Sequence, residues 1–168
     1  QFVLLGKETG LDLTQLKGSY AGAMGLPQFL PSSFRKFAVD FVGDGRRDVW
    51  KSVPDVIGSV ANYYKLHEWQ PGGMVTVQAR VQAAPPAELT DDITPQTPIA
   101  EFRKLGMEPV ASVPDDALAA LLPLETERGM QYWFRFKNFY VITRYNRSTN
   151  YAMAVYEIAR GIRARVKG

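Results

Sequence analysis

Residues 18–33 read GSYAGAMGLPQFLPSS, and the parsing of this stretch decides the fold. Gly18, Gly22 and Gly25 let the backbone turn tightly and pass close to other groups, so the first part reads as an ordered loop. Pro31-Ser32 then opens a helix that carries Phe34, Phe37 and Ala38 on one face. Upstream, a short apolar run ends in Lys7-Glu8-Thr9-Gly10, the end of a helix with Gly10 as its stop. Downstream, Ser52 and Asp55 have the spacing of a capping box and open a helix over 53–66. Val53, Val56, Ile57, Val60, Ala61 and Tyr64 repeat along it at helical spacing and predict its buried stripe. Tyr63 falls on the flank of that stripe, where an aromatic lines a groove or covers the edge of a core.

After Trp69-Gln70-Pro71-Gly72-Gly73 the texture changes. Residues 74–81 alternate with period two and predict a strand. Ile99, Phe102 and Leu105 predict a short helix over 98–105, and Leu118–Leu124 suits helix or strand. Residues 132–136 and 139–144 are aromatic and β-branched around Lys137-Asn138, which predicts a β-hairpin. A last helix runs from about Thr149 to Val166 with Ala152, Val155, Tyr156, Ala159, Ile162 and Val166 on one face. The chain therefore divides into a helical part (1–70), a strand-rich insert (71–128) and a closing part (129–168), an α+β organisation.

Composition excludes several classes. The chain has 168 residues, 46% hydrophobic and 22% charged, enough for a packed core. No cysteine is present, so disulfides and thiolate metal sites are excluded. The net charge of +3 is spread out, apart from Arg160, Arg163, Arg165 and Lys167, which suit the negative end of a helix dipole better than a nucleic acid. No apolar run is long enough to span a bilayer. The first residues have neither a charged n-region nor an initiator Met, so the chain reads as beginning within a longer protein.

Three segments carry a resemblance. They are Gly18–Ser33, the stretches VDFVGDGRRDVW and DVIGSVANYYKLHEW between Val39 and Trp69, and GMQYWFRFKNFYVITRYNRSTNYAMAV from Gly129 to Val155. In that order they resemble the membrane-bound lytic transglycosylase B family. The resemblance implies a lysozyme-like, mainly helical core with a small strand-rich inserted subdomain. It also implies cleavage of peptidoglycan between N-acetylmuramic acid and N-acetylglucosamine, leaving a 1,6-anhydro sugar, in the periplasm or cell envelope of a Gram-negative bacterium. A single glutamate acts in that chemistry first as acid, then as base. The family's pattern places it upstream of residue 1, so the missing amino-terminal portion is an expected partner and this chain alone is expected to be inactive. Glu8 lies too close to the glycine loop, and Glu68, Glu101, Glu108, Glu125, Glu127 and Glu157 match no active-site position.

By the same resemblance Ser19 and Gln28 line the cleft near the acid, Ser19 to hold the carboxyl and Gln28 to hold a sugar amide or hydroxyl. Tyr145, Asn146 and Tyr151 match the YN-x4-Y segment and Tyr63 a cleft tyrosine, all as substrate-binding residues. Tyrosines suit sugars because an aromatic face meets the apolar ring face while the hydroxyl bonds. His67, the lone histidine, receives no catalytic role.

Asp40-Phe41-Val42-Gly43-Asp44-Gly45-Arg46-Arg47-Asp48 carries an EF-hand-like spacing. Asp40 and Asp44 stand at positions one and five, Gly45 at six and the Arg46 carbonyl at seven, a set for a hard cation. Val42 and Lys51 break the pattern at positions three and twelve. The resemblance implies a longer loop with a late acid, which adds Asp48 and Asp55. Two expectations follow: a structural calcium or sodium ion, or a Gly-Asp-Gly turn with no metal. No other cofactor is required. Functionally, the alternatives to a transglycosylase part are a glycan-binding fragment without catalysis and a calcium-loop module that meets a protein through the insert.

Overall fold

The computed structural model describes residues 1–166, and Lys167 of the basic cluster lies outside them. The chain divides into two units at His67/Glu68, each with its own packing.

The first unit, Gln1–His67, is helical. It contains α1 (Phe2–Thr9), α2 (Pro31–Phe37) and α3 (Val53–Leu66). Gly10 ends α1 in a left-handed conformation, φ 69°, with its amide bonded to the Gly6 carbonyl. Pro31 stands at the start of α2, where a missing N–H costs nothing. Leu5, Met24, Phe29, Phe34, Phe37, Val49 and Tyr63 are buried.

On α3 the capping residue is as expected: the Ser52 hydroxyl accepts from the Asp55 amide at 3.4 Å. The buried face is not. Val53 and Ile57 are 56% and 64% exposed, whereas Asp55, Gly58, Ser59 and Tyr63 are buried. The reason is hydrogen bonding. Asp55 gathers three loop amides, Ser59 Oγ accepts from Val39 N at 3.0 Å, and Asn62 Nδ2 donates to the Phe37 carbonyl at 3.0 Å. Gly58 leaves the space that the Phe41 ring fills, since a Cβ there would lie 2.7 Å from it. This face is selected for holding a loop, so an apolar stripe misreads it.

The second unit starts at Glu68 and contains β1 (Thr76–Val81), α4 (Glu88–Asp91), β2 (Thr97–Pro98), α5 (Ile99–Lys104), β3 (Met107–Pro109), β4 (Leu118–Thr126), β5 (Gly129–Arg135), α6 (Lys137–Tyr145) and α7 (Thr149–Val166). Its antiparallel sheet has the order β2-β4-β5-β1-β3. The register Val77↔Phe134↔Leu121 puts these side chains on one face, where Ile99 and Phe102 of α5, Met107 and Val113 complete a core. Phe102 meets Phe134 edge-on with ring centroids 5.1 Å apart.

Two sequence expectations change here. The hairpin pairs β4 with β5 through Glu127-Arg128, so β5 lies inside the sheet and the strand-rich region continues past residue 128. Residues 139–144, expected as the second hairpin strand, and the expected turn Lys137-Asn138 instead form α6. Asn138 forces this: fully buried, it accepts from Gln70 N at 2.8 Å and donates to the carbonyls of Gln70 and Gly73 at 2.8 and 3.0 Å. With Asn138 so fixed, Phe139, Ile142 and Thr143 bury at helical spacing. Tertiary bonding thus outweighs the strand propensity of Val141-Ile142-Thr143.

Candidate functional site

The glycine loop is a rigid, polar-tipped turn. Gly18 and Phe29 each bridge to Met24 in antiparallel fashion. Ser19 N donates to Ala23 O at 2.9 Å, Gly22 N to Ser19 O at 2.8 Å, and Met24 and Phe29 exchange amide–carbonyl bonds of 2.8 and 3.0 Å. Met24, Pro27 and Phe29 are buried while Ser19, Tyr20 and Gln28 are exposed. Ser19 Oγ accepts from Ala23 N at 3.1 Å, which fixes the side chain and leaves its own O–H proton available to donate. Gln28 stands at φ 53°, and its Nε2 donates to Gly25 O at 2.8 Å. That amide is therefore held against its own turn, in a backbone region that non-glycine residues seldom occupy.

Beneath the loop lies an aromatic cluster. Tyr63 stacks on His67 at 4.1 Å and meets Phe37 at 4.6 Å and Phe29 at 6.0 Å. At 6% exposure Tyr63 belongs to the core rather than to a helix flank. His67 Nδ1 lies 2.8 Å from Tyr63 O, so the imidazole closes the end of α3.

In the second unit, Tyr145, Asn146 and Tyr151 gather at the junction of α6 and α7. Asn146 caps α6, and its Oδ1 accepts from Ser148 N at 3.0 Å. Ser148 Oγ in turn accepts from Tyr151 N at 3.2 Å. This relay sets where Tyr151 leaves the helix. Tyr145 and Tyr151 are half-buried and Asn146 is exposed.

Glu8 lies in an ion pair. Arg35 Nε donates to its Oε2 at 2.8 Å, and that hydrogen bond holds the carboxyl below the usual glutamate value. A general acid needs the opposite shift.

The loop 40–55 is a nest of turns closed by its own carboxylates. Asp40 Oδ1 accepts from Gly43 N and Asp44 N, and its Oδ2 from Gly45 N. Asp44 and Asp48 each use Oδ1, toward Arg46 N and toward Trp50 N and Lys51 N respectively. Asp55, fully buried, accepts from Phe41 N at 2.8 Å, Val42 N at 3.3 Å and Asp48 N at 3.0 Å. Burial pushes its carboxyl up, but the amides of Phe41, Asp48 and Val42 and the Ser52 hydroxyl outweigh this and hold it below the ordinary range. Among the described residues no three acidic side chains converge on one point as a metal cage would require. The four aspartates accept hydrogen bonds from the loop's own amides.

Two residues that the sequence reading passed over organise this geometry. Asn138 pins the start of α6, and Arg35 neutralises Glu8. A lone Asn between two apolar runs was the visible signal of the first; the second pairs positions 27 residues apart and had none.

Residues 1–160 match the transglycosylase SLT domain family, and the chain belongs to it. The membrane-bound lytic murein transglycosylase B of Escherichia coli K12 is 44% identical over 161 residues, 96% of this chain and 44% of that protein. The catenated lytic transglycosylase SltB1 of Pseudomonas aeruginosa superposes with a TM-score of 0.90 at 45% identity, over 99% of this chain and 55% of that one. The Escherichia coli lytic transglycosylase Slt35, solved in complex with calcium, gives 0.87 at 43% identity, over 98% and 52%. The α+β fold with a small antiparallel sheet is thus that of a lysozyme-like lytic transglycosylase. The chain spans about half the length of the relatives it matches.

Proposed function

We propose that this chain forms part of the catalytic domain of a peptidoglycan lytic transglycosylase, whose acid is a glutamate upstream of residue 1. The observation that carries this reading is the glycine loop: an exposed serine hydroxyl with a free donor and a clamped glutamine, both on a base of buried Met24 and Phe29. Ser19 donates to the catalytic carboxyl and fixes its orientation. Gln28, Tyr145, Asn146 and Tyr151 hold the sugars, and Tyr63 serves by supporting the loop from beneath.

The chemistry needs one carboxyl group. Its proton passes to the glycosidic oxygen as the C1–O bond breaks, so the N-acetylglucosamine leaves with its hydroxyl restored. The resulting carboxylate takes the proton of the muramic C6 hydroxyl as O6 bonds to C1. The acid is regenerated, no water is consumed, and the second carboxylate of a hydrolase is dispensable. The substrate places the protein in the periplasm or cell envelope. No helix among the described residues is long and apolar enough to cross a membrane.

Mass spectrometry of purified peptidoglycan tests this. Anhydro-muropeptides are expected from a longer protein that includes the upstream residues and not from this chain alone. Release by the chain alone would place the acid within it. Release by neither, with binding retained, would make this a glycan-binding part without catalysis.

The ion is a separate proposal. We infer that the 40–55 loop takes a calcium ion weakly, through Asp40, Asp44, the Arg46 carbonyl and Asp48, with Asp55 buried behind them. The EF-hand spacing of the first three and the second oxygens of Asp44 and Asp48, outside the turn network, support it. A calcium-dependent rise in melting temperature that Asp44→Asn abolishes is the expected result; the same melting temperature with and without calcium would refute it.

A further inference from the structure

Acidic and basic residues nearly balance over the whole chain, 17 against 20, yet residues 128–156 contain Arg128, Arg135, Lys137, Arg144 and Arg147 and no acid. Structure accounts for two of these cations. Arg135 is buried and donates to the Asp92 carbonyl at 2.7 Å, and Lys137 pairs with Glu68 at 2.6 Å. Arg144 is held without a counter-charge. Its guanidinium lies over the Tyr140 ring at 4.1 Å, Nη2 donates to Thr143 Oγ1 at 3.1 Å, and its buried Nε has no hydrogen-bond partner. Arg147 is exposed just beyond the Asn146 cap. Among the described residues no carboxylate pairs with either.

With the Tyr140 ring against the guanidinium and one Nη2 proton given to Thr143, the Nη1 protons and the second Nη2 proton remain to donate to an acceptor such as a carboxylate. The negative end of the α6 dipole favours a cation at position 144, but it does not reach the exposed Arg147 past the cap. Both arginines flank Tyr145 and Asn146 in sequence. In a muramyl glycan the sugar rings are neutral, and negative charge resides in the side chain on the lactyl ether: the carboxylates of a stem peptide, or the lactyl carboxylate where the peptide has been removed.

We propose that Arg144 and Arg147 recognise the carboxylate of the muramyl side chain, which makes the α6–α7 junction a reader of that side chain as well as of the sugar. This rests on the glycan-binding reading above. Binding of three probes to the intact chain tests it: stem-bearing glycan strands, strands stripped of peptide by an amidase, and a neutral chito-oligosaccharide. Arg144→Met keeps the apolar stem over Tyr140 and removes the charge, and Arg147→Ala changes only an exposed side chain. Each is expected to weaken binding of the carboxylate-bearing probe about tenfold, the worth of one charge-assisted contact, and to leave the neutral oligosaccharide unchanged. Loss confined to stem-bearing strands assigns the contact to peptide; loss on stripped strands as well assigns it to the lactyl group. Equal loss on the neutral sugar, or no loss on any probe, would overturn the proposal. Failure of the unaltered chain to bind all three would remove the glycan reading beneath it.

Discussion

Gly25 is the residue on which the candidate loop depends most, and Gly25→Ala shows why. Its φ is 66°, a conformation that costs an L-residue roughly 1–2 kcal/mol. A Cβ there would also lie 2.7 Å from the Val49 carbonyl oxygen and 2.8 Å from Val49 Cγ2. That oxygen is not a flexible tip: it accepts from Leu26 N at 2.9 Å, so either the loop or the 48–50 backbone must shift. Overpacking of this kind costs about 1–3 kcal/mol. Together the two effects come to about 3–4 kcal/mol, and a chain of this length loses roughly 2–4 °C in melting temperature per kcal/mol, so a fall near 10 °C is expected. Gly22→Ala separates the two effects, because Gly22 has φ 81° but nothing within 4 Å of its Cβ position; it should lose about a third to a half as much. Thermal melts followed by circular dichroism measure both. Gly25 O also accepts Gln28 N and Gln28 Nε2, so glycan binding should weaken in Gly25→Ala more than stability alone explains. If the two variants melt together, the close approach to Val49 contributes nothing and the argument for a rigid loop fails.

Other substitutions probe the remaining links. Asn138→Ala leaves Gln70 N and the Gly73 carbonyl without partners, while the Gln70 carbonyl keeps the Gly73 amide, and should cost about 2–4 kcal/mol in urea unfolding; a cost under ~1 kcal/mol would mean that water replaces the side chain freely. Phe134→Ala, at the centre of the sheet's core, should cost about 3–5 kcal/mol by the same assay. Asp55 has a folded pKa below its ordinary value near 3.8, so it adds stability above that pH and the contribution is lost as pH falls through the folded value. Urea midpoints between pH 2 and 7 should show a smaller acid-side drop in Asp55→Asn than in the wild type, and parallel curves would remove Asp55 as its source.

The legible parts of this fold were those where local chemistry and tertiary role agree. Gly10 as a stop, Pro31 as a start, the Ser52 cap, the strand at 76–81 and α7 all follow from rules acting within a few residues. The α3 face was misread because Val53 and Ile57 look like core, whereas the bonds of Asp55, Ser59 and Asn62 decide which side turns inward. Helix α6 was misread because the deciding contact joins Asn138 to Gln70, 68 residues away. For the site, Ser19 and Gln28 were named from the resemblance and lie in the loop that the glycines made legible, while Tyr63 was placed on a flank and lies in the core. The solvent face of a loop follows from its glycines; burial of an aromatic depends on what else the chain brings to it.

The electrostatics of the described carboxylates bear on where the acid lies. A glutamate that protonates a glycosidic oxygen near neutral pH must be desolvated and unpaired, so that its pKa rises. The carboxyls here with shifted values all move the other way. Glu8 and Glu68 are held down by Arg35 and Lys137, Asp12 and Asp92 by hydrogen bonds from Thr14 and Thr94, and Asp55 by loop amides that outweigh its burial. Each of these acids is spent on structure, as an ion pair, a turn or a loop anchor. The glycine loop proposed to meet the reacting carboxyl is different in kind: a hydroxyl donor on Ser19, a clamped amide on Gln28 and buried Met24 and Phe29. On the reading proposed above, this apolar floor is what raises the pKa of a carboxyl brought there and the Ser19 hydroxyl orients it, while the five carboxyls named here, all held down, do not suit the role of that acid.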